Sequence, residues 1–228
     1  MKRALFAAVL AGISFSAQAL PTLQLDTPGG VWTASDSIQG EHTIIIDDSS
    51  FTVYAYGNER DVDLADNFIF SASVVPILSQ GTDFGSFSVN GSTFDFNNAL
   101  YGSLPVSNHD PLKGDTYYFT ETFTFDASQL AIAYNVQDQA GQTPDTNPGT
   151  AENVMYYMAF DIDVSGLAEG LALHFDLYSE DLKKNGNPVD FAPFSHDVGS
   201  TTKVPEPGSL ALIGMGLFGL GLARRRNR

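Results

Sequence analysis

Residues 117–125, Tyr-Tyr-Phe-Thr-Glu-Thr-Phe-Thr-Phe, decide the fold class of this chain. Successive side chains of an extended strand point to opposite faces, so four of the aromatic residues share one face, and Tyr118 shares the other face with the threonines. This period of two over the whole segment predicts a β-strand with one buried face. The face expected inside a core comprises Tyr117, Phe119, Phe123 and Phe125, interrupted by Glu121.

The same alternation recurs along the chain and predicts further strands. An Ile-Ile-Ile run at 44–46 is typical of a buried strand, and residues 50–56 place Phe51, Val53 and Ala55 on one face. Asn90-Gly91 lies between two apolar segments and predicts a tight hairpin. Alternation continues at 130–136, 154–164 and 171–177, with a hairpin turn expected at 165–170. Many short strands separated by Gly, Asn and Asp predict an all-β body, either a β-sandwich or a jelly roll.

Both ends of the chain have the composition of targeting segments. A basic start, Met1-Lys2-Arg3, is followed by small apolar residues and by Ala17-Gln18-Ala19, which fits the A-x-A cleavage pattern with Ala17 and Ala19 as its small residues. Residues 1–19 are therefore predicted to be a secretory signal peptide that signal peptidase removes. At the other end, over 204–228, a Pro-Glu-Pro motif precedes an uncharged run and a basic stop; the motif is Val204, Pro205, Glu206 and Pro207, and the stop is Arg224, Arg225 and Arg226.

The uncharged run at 209–223 predicts a single, short transmembrane helix. At 1.5 Å per residue it reaches about 22 Å, against a hydrocarbon core of about 30 Å, so it must tilt little or thin the bilayer locally. Pro205 and Pro207 end the helix on the body side because proline cannot continue the hydrogen-bond ladder. The arginines are expected to stay on the cytoplasmic side.

The order of these parts at the extreme C-terminus resembles the PEP-CTERM protein-sorting signal of Gram-negative bacteria. The resemblance implies an exported protein that an envelope-embedded exosortase processes. Such a protein is tethered in the inner membrane during transit and then reaches the outer surface or the extracellular matrix. A second resemblance, to the choice-of-anchor exported bacterial proteins of type N, rests on residues 20–25, 51–55, 174–178 and 191–197. It implies a surface role and supplies no catalytic residue.

The body over 20–203 is long enough to bury a core and is predicted to form one domain, a β-sandwich. Removing the +2 of residues 1–19 and the +3 of residues 204–228 from the whole-chain charge of −16 leaves −21 on the body. Such a surface repels nucleic acid and anionic lipid and attracts cations. The chain has no cysteine. Its stability is therefore predicted to rest on the core, or on the core and bound ions, although export would permit disulfides.

Two acidic runs are weak candidates for a calcium site. Asp161 and Asp163 begin like an EF-hand loop, but its twelfth position is Ala172 where a bidentate Glu is needed, which rejects an EF-hand. The second run contains Asp61, Asp63 and Asp66. A solvated acidic exterior explains both runs more simply. Calcium in an irregular loop remains open as the one candidate cofactor.

Ser195-His196-Asp197 has the residue types of a catalytic triad, but adjacent side chains rarely converge on one point. No G-x-S-x-G elbow and no H-E-x-x-H zinc motif occurs in the sequence. His174 alternates with the apolar residues of its strand and is predicted to face outward. No catalytic residue is therefore assigned, and the chain is predicted not to be an enzyme.

These observations predict a structural or adhesive protein associated with exopolysaccharide or biofilm. Two alternatives stay open. The first is a carbohydrate-binding surface module in which aromatic rings stack on sugars, with Trp32, Tyr54, Tyr56 and Tyr101 as candidates. The second is a secreted hydrolase that uses a carboxylate pair in a cleft.

Overall fold

A computed structural model describes residues 20–39, 42–104, 111–151, 153–181, 188–193 and 196–201. Within these residues thirteen strands form two sheets and no helix is present. The strands are β1 Leu23–Asp26, β2 Val31–Thr33, β3 Thr43–Ile46, β4 Ser50–Asn58, β5 Phe68–Val75, β6 Ser86–Val89, β7 Ser92–Asp95, β8 Leu100–Gly102, β9 Thr116–Phe123, β10 Leu130–Ile132, β11 Val154–Asp163, β12 Ala172–Ser179 and β13 Val198–Ser200.

The first sheet has the order β1-β4-β11-β6-β7, and β10 also pairs with β11. Its longest pairing, β4 with β11, is antiparallel and runs from Ser50 opposite Asp163 to Asn58 opposite Met155. The second sheet has the order β2-β3-β13-β12-β5-β9-β8. In it β3 and β13 run parallel, with Ile44 opposite Val198, while the other pairs are antiparallel.

The core lies between the two sheets and is rich in phenylalanine. Phe70 of the second sheet stacks on Phe160 of the first with ring centroids 3.9 Å apart and planes nearly parallel. Phe51 and Phe175 make an edge-to-face contact, also between the sheets, at 6.0 Å. The prediction of an all-β, sandwich-like body is therefore confirmed.

Residues 117–125, whose alternation predicted a strand with one buried face, have that arrangement in the structure. Tyr117, Phe123 and Phe125 are buried, and Phe119 is half-buried against the same core. Phe125 lies just beyond the end of β9, and Thr122 on the opposite face is exposed. The predicted Asn-Gly hairpin joins β6 and β7, with positive φ at both turn residues (50° at Asn90 and 77° at Gly91).

The hairpin expected at 165–170 is wrong. β11 and β12 belong to different sheets, so this segment crosses from one sheet to the other. Ser86 N donates to Gly166 O at 2.9 Å and Ala168 N donates to Phe84 O at 2.9 Å, which holds the crossing against β6. Alternation identifies the apolar face of each strand, but two apolar faces can meet across a core as well as lie side by side.

The long polar segment at 137–151 is held against the first sheet by Asp26. Asp26 is fully buried, and its carboxylate accepts hydrogen bonds from Gly141 N at 2.8 Å, Gln142 N at 3.0 Å and the Tyr134 hydroxyl at 2.7 Å. In addition, Gly29 N donates to Gly141 O at 3.1 Å. The first part of this loop is therefore anchored to the body.

The predicted signal peptide, transmembrane helix and sorting motif lie outside the described residues. Within the described part of the chain, no helix is long and apolar enough to cross a membrane.

Candidate functional site

The segment with the composition of a triad does not assemble one. His196 and Asp197 are both buried, but their side chains have different partners. His196 Nε2 lies 2.9 Å from Asn135 Oδ1, and burial lowers the pKa of this imidazole, although the nearby Asp138 charge opposes that effect. Asp197 contacts Thr43 and His174 instead. Ser195 lies outside the described residues.

Asp197 belongs to a buried group of polar side chains on the outer face of the second sheet. This histidine–aspartate cluster comprises Gln39, Thr43, His174, Asp176 and Asp197, none of which is more than 6% exposed. His174 and Asp176 come from the same face of β12, because they are two residues apart, while Leu173 and Phe175 point into the core. His174 thus lies on the outer face, as predicted, yet it is inaccessible to solvent.

The imidazole of His174 lies between two carboxylates and one amide. Its Nε2 is 3.5 Å from Asp176 Oδ1 and 3.4 Å from Asp197 Oδ2. On the other side, Nδ1 lies 3.0 Å from Gln39 Oε1. Gln39 Nε2 donates to the carbonyls of Leu173 at 2.9 Å and Ser200 at 2.7 Å, which leaves Oε1 as the acceptor. Nδ1 therefore carries a proton and donates to Gln39, and Nε2 faces the two acids.

Gly199 makes room for this arrangement. It lies opposite His174 in the pairing of β12 with β13, and a methyl group at this position would overlap the Gln39 side chain. A larger residue at 199 would push Gln39 away from the imidazole. The absence of a side chain at this strand position thus leaves the space that Gln39 occupies beside the histidine.

Burial controls the charge of the cluster. Desolvation raises the pKa of Asp197 well above its ordinary value, the Asp176 charge raises it further, and the hydrogen bond from the Thr43 hydroxyl opposes both. Asp197 therefore binds a proton more readily than an exposed aspartate does. These side chains are closed to solvent in this structure.

The candidate sugar-stacking residues do not form one surface. Trp32 is half-buried against the core, Tyr101 packs on Tyr117 at 5.0 Å, and Tyr56 is fully buried. Tyr54 remains partly exposed on the outer face of the first sheet. There it meets Tyr157, which the sequence had not singled out, with ring centroids 6.1 Å apart and planes at 65°.

We call the surface formed by Thr52, Tyr54, Tyr157, Ala159 and Asp161 the tyrosine face. Ala159 lies opposite Tyr54 in the pairing of β11 with β4, and Asp161 lies opposite Thr52. The Thr52 hydroxyl donates to Asp161 Oδ1 at 2.9 Å. Two aromatic rings therefore lie beside a hydroxyl and a carboxylate on one open sheet face.

The two acidic runs lie largely at the surface. Asp61, Asp63 and Asp66 are exposed, and Asp63 Oδ1 accepts a hydrogen bond from Ala65 N at 3.0 Å. Asp163 Oδ1 accepts one from Ser165 N at 2.7 Å, which caps the turn after β11. Across the residues described, no group of three or more His, Cys, Asp or Glu side chains is placed to hold a metal ion. Calcium binding stays a prediction.

The acidity of the body predicts how its stability responds to salt. With −21 on the body, self-repulsion destabilises the compact state. Sodium chloride is therefore expected to raise the melting temperature, by about 2–4 °C for each kcal/mol of repulsion that it screens. The measurement is thermal unfolding at increasing salt concentration. Calcium chloride at matched ionic strength is the control, and a further rise specific to calcium would indicate a true site at one of the acidic runs.

Over the described residues the protein is all-β, and its histidine–aspartate cluster is enclosed within the body. Residues 203–226 match the family model described as the PEP-CTERM protein-sorting motif. The chain therefore carries the sorting motif that its C-terminal residues suggested, and it is an exported protein that exosortase processes. The predicted sorting residues 204–207 and the arginines at 224–226 fall within the matched range. They lie outside the described residues, as do Ala17 and Ala19, and their roles stay predictions.

No curated protein matches the chain significantly. Among solved structures, the chain is similar to a bacterial adhesin from Mobiluncus mulieris that contains intramolecular disulfide, isopeptide and ester bond cross-links. The identity is 13%, the TM-score is 0.25, and the match covers 75% of this chain and 49% of the adhesin chain. A likeness at this level carries no argument about function.

Proposed function

We propose that this protein is a non-catalytic, structural or adhesive component of the cell surface or of an exopolysaccharide matrix. The observation that carries the proposal is the enclosure of the histidine–aspartate cluster, in which His174 is 0% exposed and Asp197 is 3% exposed. An enzyme needs such groups within reach of a substrate. The sorting motif and the acidic exterior support a surface or matrix location.

The sorting step is tested by mass spectrometry of the protein from a host with an intact exosortase. We expect cleavage in or near Pro205-Glu206-Pro207, so that Arg224–Arg226 is missing from the surface form. Deleting residues 208–223 should leave the body folded and release it to the periplasm or medium. A surface form that retains the three arginines in such a host would contradict the proposed processing. For the structural role, deletion of the gene should weaken the matrix or cell adhesion, and the full-length gene should restore it.

Carbohydrate binding is a second candidate, and the tyrosine face is the observation that favours it. Aromatic rings offer flat apolar surfaces to the C–H faces of a sugar, while the Thr52–Asp161 pair offers acceptors for its hydroxyl groups. Because Asp161 places a negative charge on the tyrosine face, the expected ligand is a neutral sugar polymer or an amino sugar polymer.

This candidate is tested with Tyr54→Ala and Tyr157→Ala on a glycan array. Both variants should lose glycan retention at least tenfold, whereas Tyr118→Ala, a half-buried tyrosine on the outer face of the other sheet, should retain it. Thermal unfolding checks that each variant folds. If the unaltered protein retains no glycan, the binding module is eliminated and the structural role stands alone.

A further inference from the structure

A threonine hydroxyl and a carboxyl group meet inside the histidine–aspartate cluster. Parallel pairing of β3 with β13 places Ile44 opposite Val198, and Ile44 N donates to Asp197 O at 3.1 Å. The residues just before this pair, Thr43 and Asp197, therefore lie side by side on the outer face of the sheet. The Thr43 hydroxyl donates to Asp197 Oδ1, and both side chains are buried, at 0% and 3% exposure.

We propose that Thr43 and Asp197 condense to an intramolecular ester, which forms a covalent cross-link between β3 and the start of β13. Thr43 Oγ1 attacks Cγ of the Asp197 carboxylic acid. The Oγ1–Cγ bond forms and the Cγ–Oδ2 bond breaks. The hydroxyl proton and the acid proton both leave on Oδ2 as one water, so the step needs no oxidant, reductant or external reactant.

The surroundings of Asp197 favour this condensation. His174 Nε2 lies 3.4 Å from Oδ2, where it can pass a proton to the departing oxygen, and Asp176 Oδ1 lies 3.5 Å from the same nitrogen. Gln39 fixes the ring by accepting from Nδ1. Because burial raises the pKa of Asp197, its carboxyl group binds a proton more readily, and the neutral acid can lose water whereas a carboxylate cannot.

The closeness of Thr43 to Asp197 and the exclusion of solvent from the pair both favour the ester. Fixed neighbours react as if at an effective concentration of roughly 10⁵–10⁸ M. A site that excludes solvent also lacks the water that would hydrolyse the ester. The link would join positions 154 residues apart in a chain with no cysteine, so it would restrict the unfolded chain as a long-range disulfide does in other exported proteins.

Tryptic digestion of the full-length protein, purified folded from an exporting host, tests the proposal. Thr43 lies in the peptide that ends at Arg60, and Asp197 lies in the peptide from Asn185 to Lys203. We expect these peptides to run as one species that is one water lighter than their sum. Hydroxylamine should separate them and leave a hydroxamate on Asp197. Two separate peptides at their full masses in the folded, unaltered protein would overturn the proposal.

The same two peptides contain a matched control. Thr201 donates to Asp47 Oδ1 at 2.7 Å across the far end of the same strands, but this pair is exposed and has no histidine among its described partners. Thr201→Val should therefore keep the cross-link, Thr43→Val should abolish it and Thr43→Ser should preserve it. A link that tandem mass spectrometry places at Thr201 and Asp47, or that survives Thr43→Val, would contradict the assignment. If Thr43→Val fails to fold, the masses of the two tryptic peptides from the unaltered protein test the proposal by themselves.

Discussion

Replacing Phe123 with alanine is expected to lower the free energy of unfolding by about 3–5 kcal/mol. Phe123 is 8% exposed, and its ring contacts Phe68, Phe125 and Phe160 at centroid distances between 5.1 and 6.1 Å. Alanine would remove this buried surface and leave a cavity between the two sheets. Because a domain has about 5–15 kcal/mol of stability in total, the loss would bring the protein close to unfolding.

Thr122→Ala is the matched control, since Thr122 is the neighbouring residue on the exposed face of β9. Its effect should stay within about 0.5 kcal/mol. Urea denaturation of the two variants, followed by fluorescence or circular dichroism, measures the difference. Equal stability of Phe123→Ala and the unaltered protein would mean that this aromatic face lies in solvent, which would favour the sugar-binding alternative.

Asp26→Ala is expected to cost about 2–4 kcal/mol, because it leaves one buried donor and three partly buried donors without their acceptor. The donors are Thr27 N, Gly141 N, Gln142 N and the Tyr134 hydroxyl. The loop at 137–151 would lose its two backbone hydrogen bonds to Asp26 and would be held less firmly against the first sheet. Faster cleavage in this loop by a protease of broad specificity, together with a lower urea midpoint, would show the loss.

Asp26 also predicts a pH dependence. Burial raises the pKa of its carboxyl, although the four hydrogen bonds that it accepts oppose this shift. The folded state therefore binds a proton at higher pH than the unfolded state. The contribution of Asp26 to stability should grow as the pH falls through the raised folded-state pKa, and it should stop growing below the unfolded value of about 3.9. The stability difference between the unaltered protein and Asp26→Ala should thus widen from pH 7 to pH 4.

Asp126 provides the opposite case as a control. It is exposed, and hydrogen bonds from Ser128 lower the pKa of its carboxyl. Its contribution to stability is present above the unfolded-state pKa and is lost as the pH falls through the lower folded-state value. Asp126→Ala should therefore be much milder than Asp26→Ala, and its difference from the unaltered protein should narrow on acidification. A widening in both variants would rule out the assigned role of Asp26.

Local patterns predicted the parts of the fold that depend on local geometry. Side-chain alternation placed Val53, Phe123 and Phe160 on buried faces, because the period of a strand is set by its own backbone. The Asn90-Gly91 turn was predictable because both residues tolerate positive φ. The prediction failed at 165–170, where the strands on either side belong to different sheets. Which strand pairs with which depends on the whole sheet.

The candidate site was less predictable. His174 and Asp176 could have been paired from their spacing on one strand face, but Gln39, Thr43 and Asp197 come from distant positions and give no shared signal. The burial of His174 on an outer sheet face was also unforeseen, since alternation reports the face of a residue and not what covers it. Tyr157 was missed for a similar reason: its relation to Tyr54 arises from the register of β4 with β11.

By itself, the sequence determined that this protein is exported and sorted, because the sorting motif at 203–226 is a short linear run of residues that can be identified without the fold of the body. It also determined the all-β class, through the two-residue period of its strands. Only the tertiary structure decided that His174, Asp176 and Asp197 meet beside Thr43, and that they do so away from water. The physical reason is that contacts between residues more than 100 positions apart depend on sheet order and register, which no local pattern encodes.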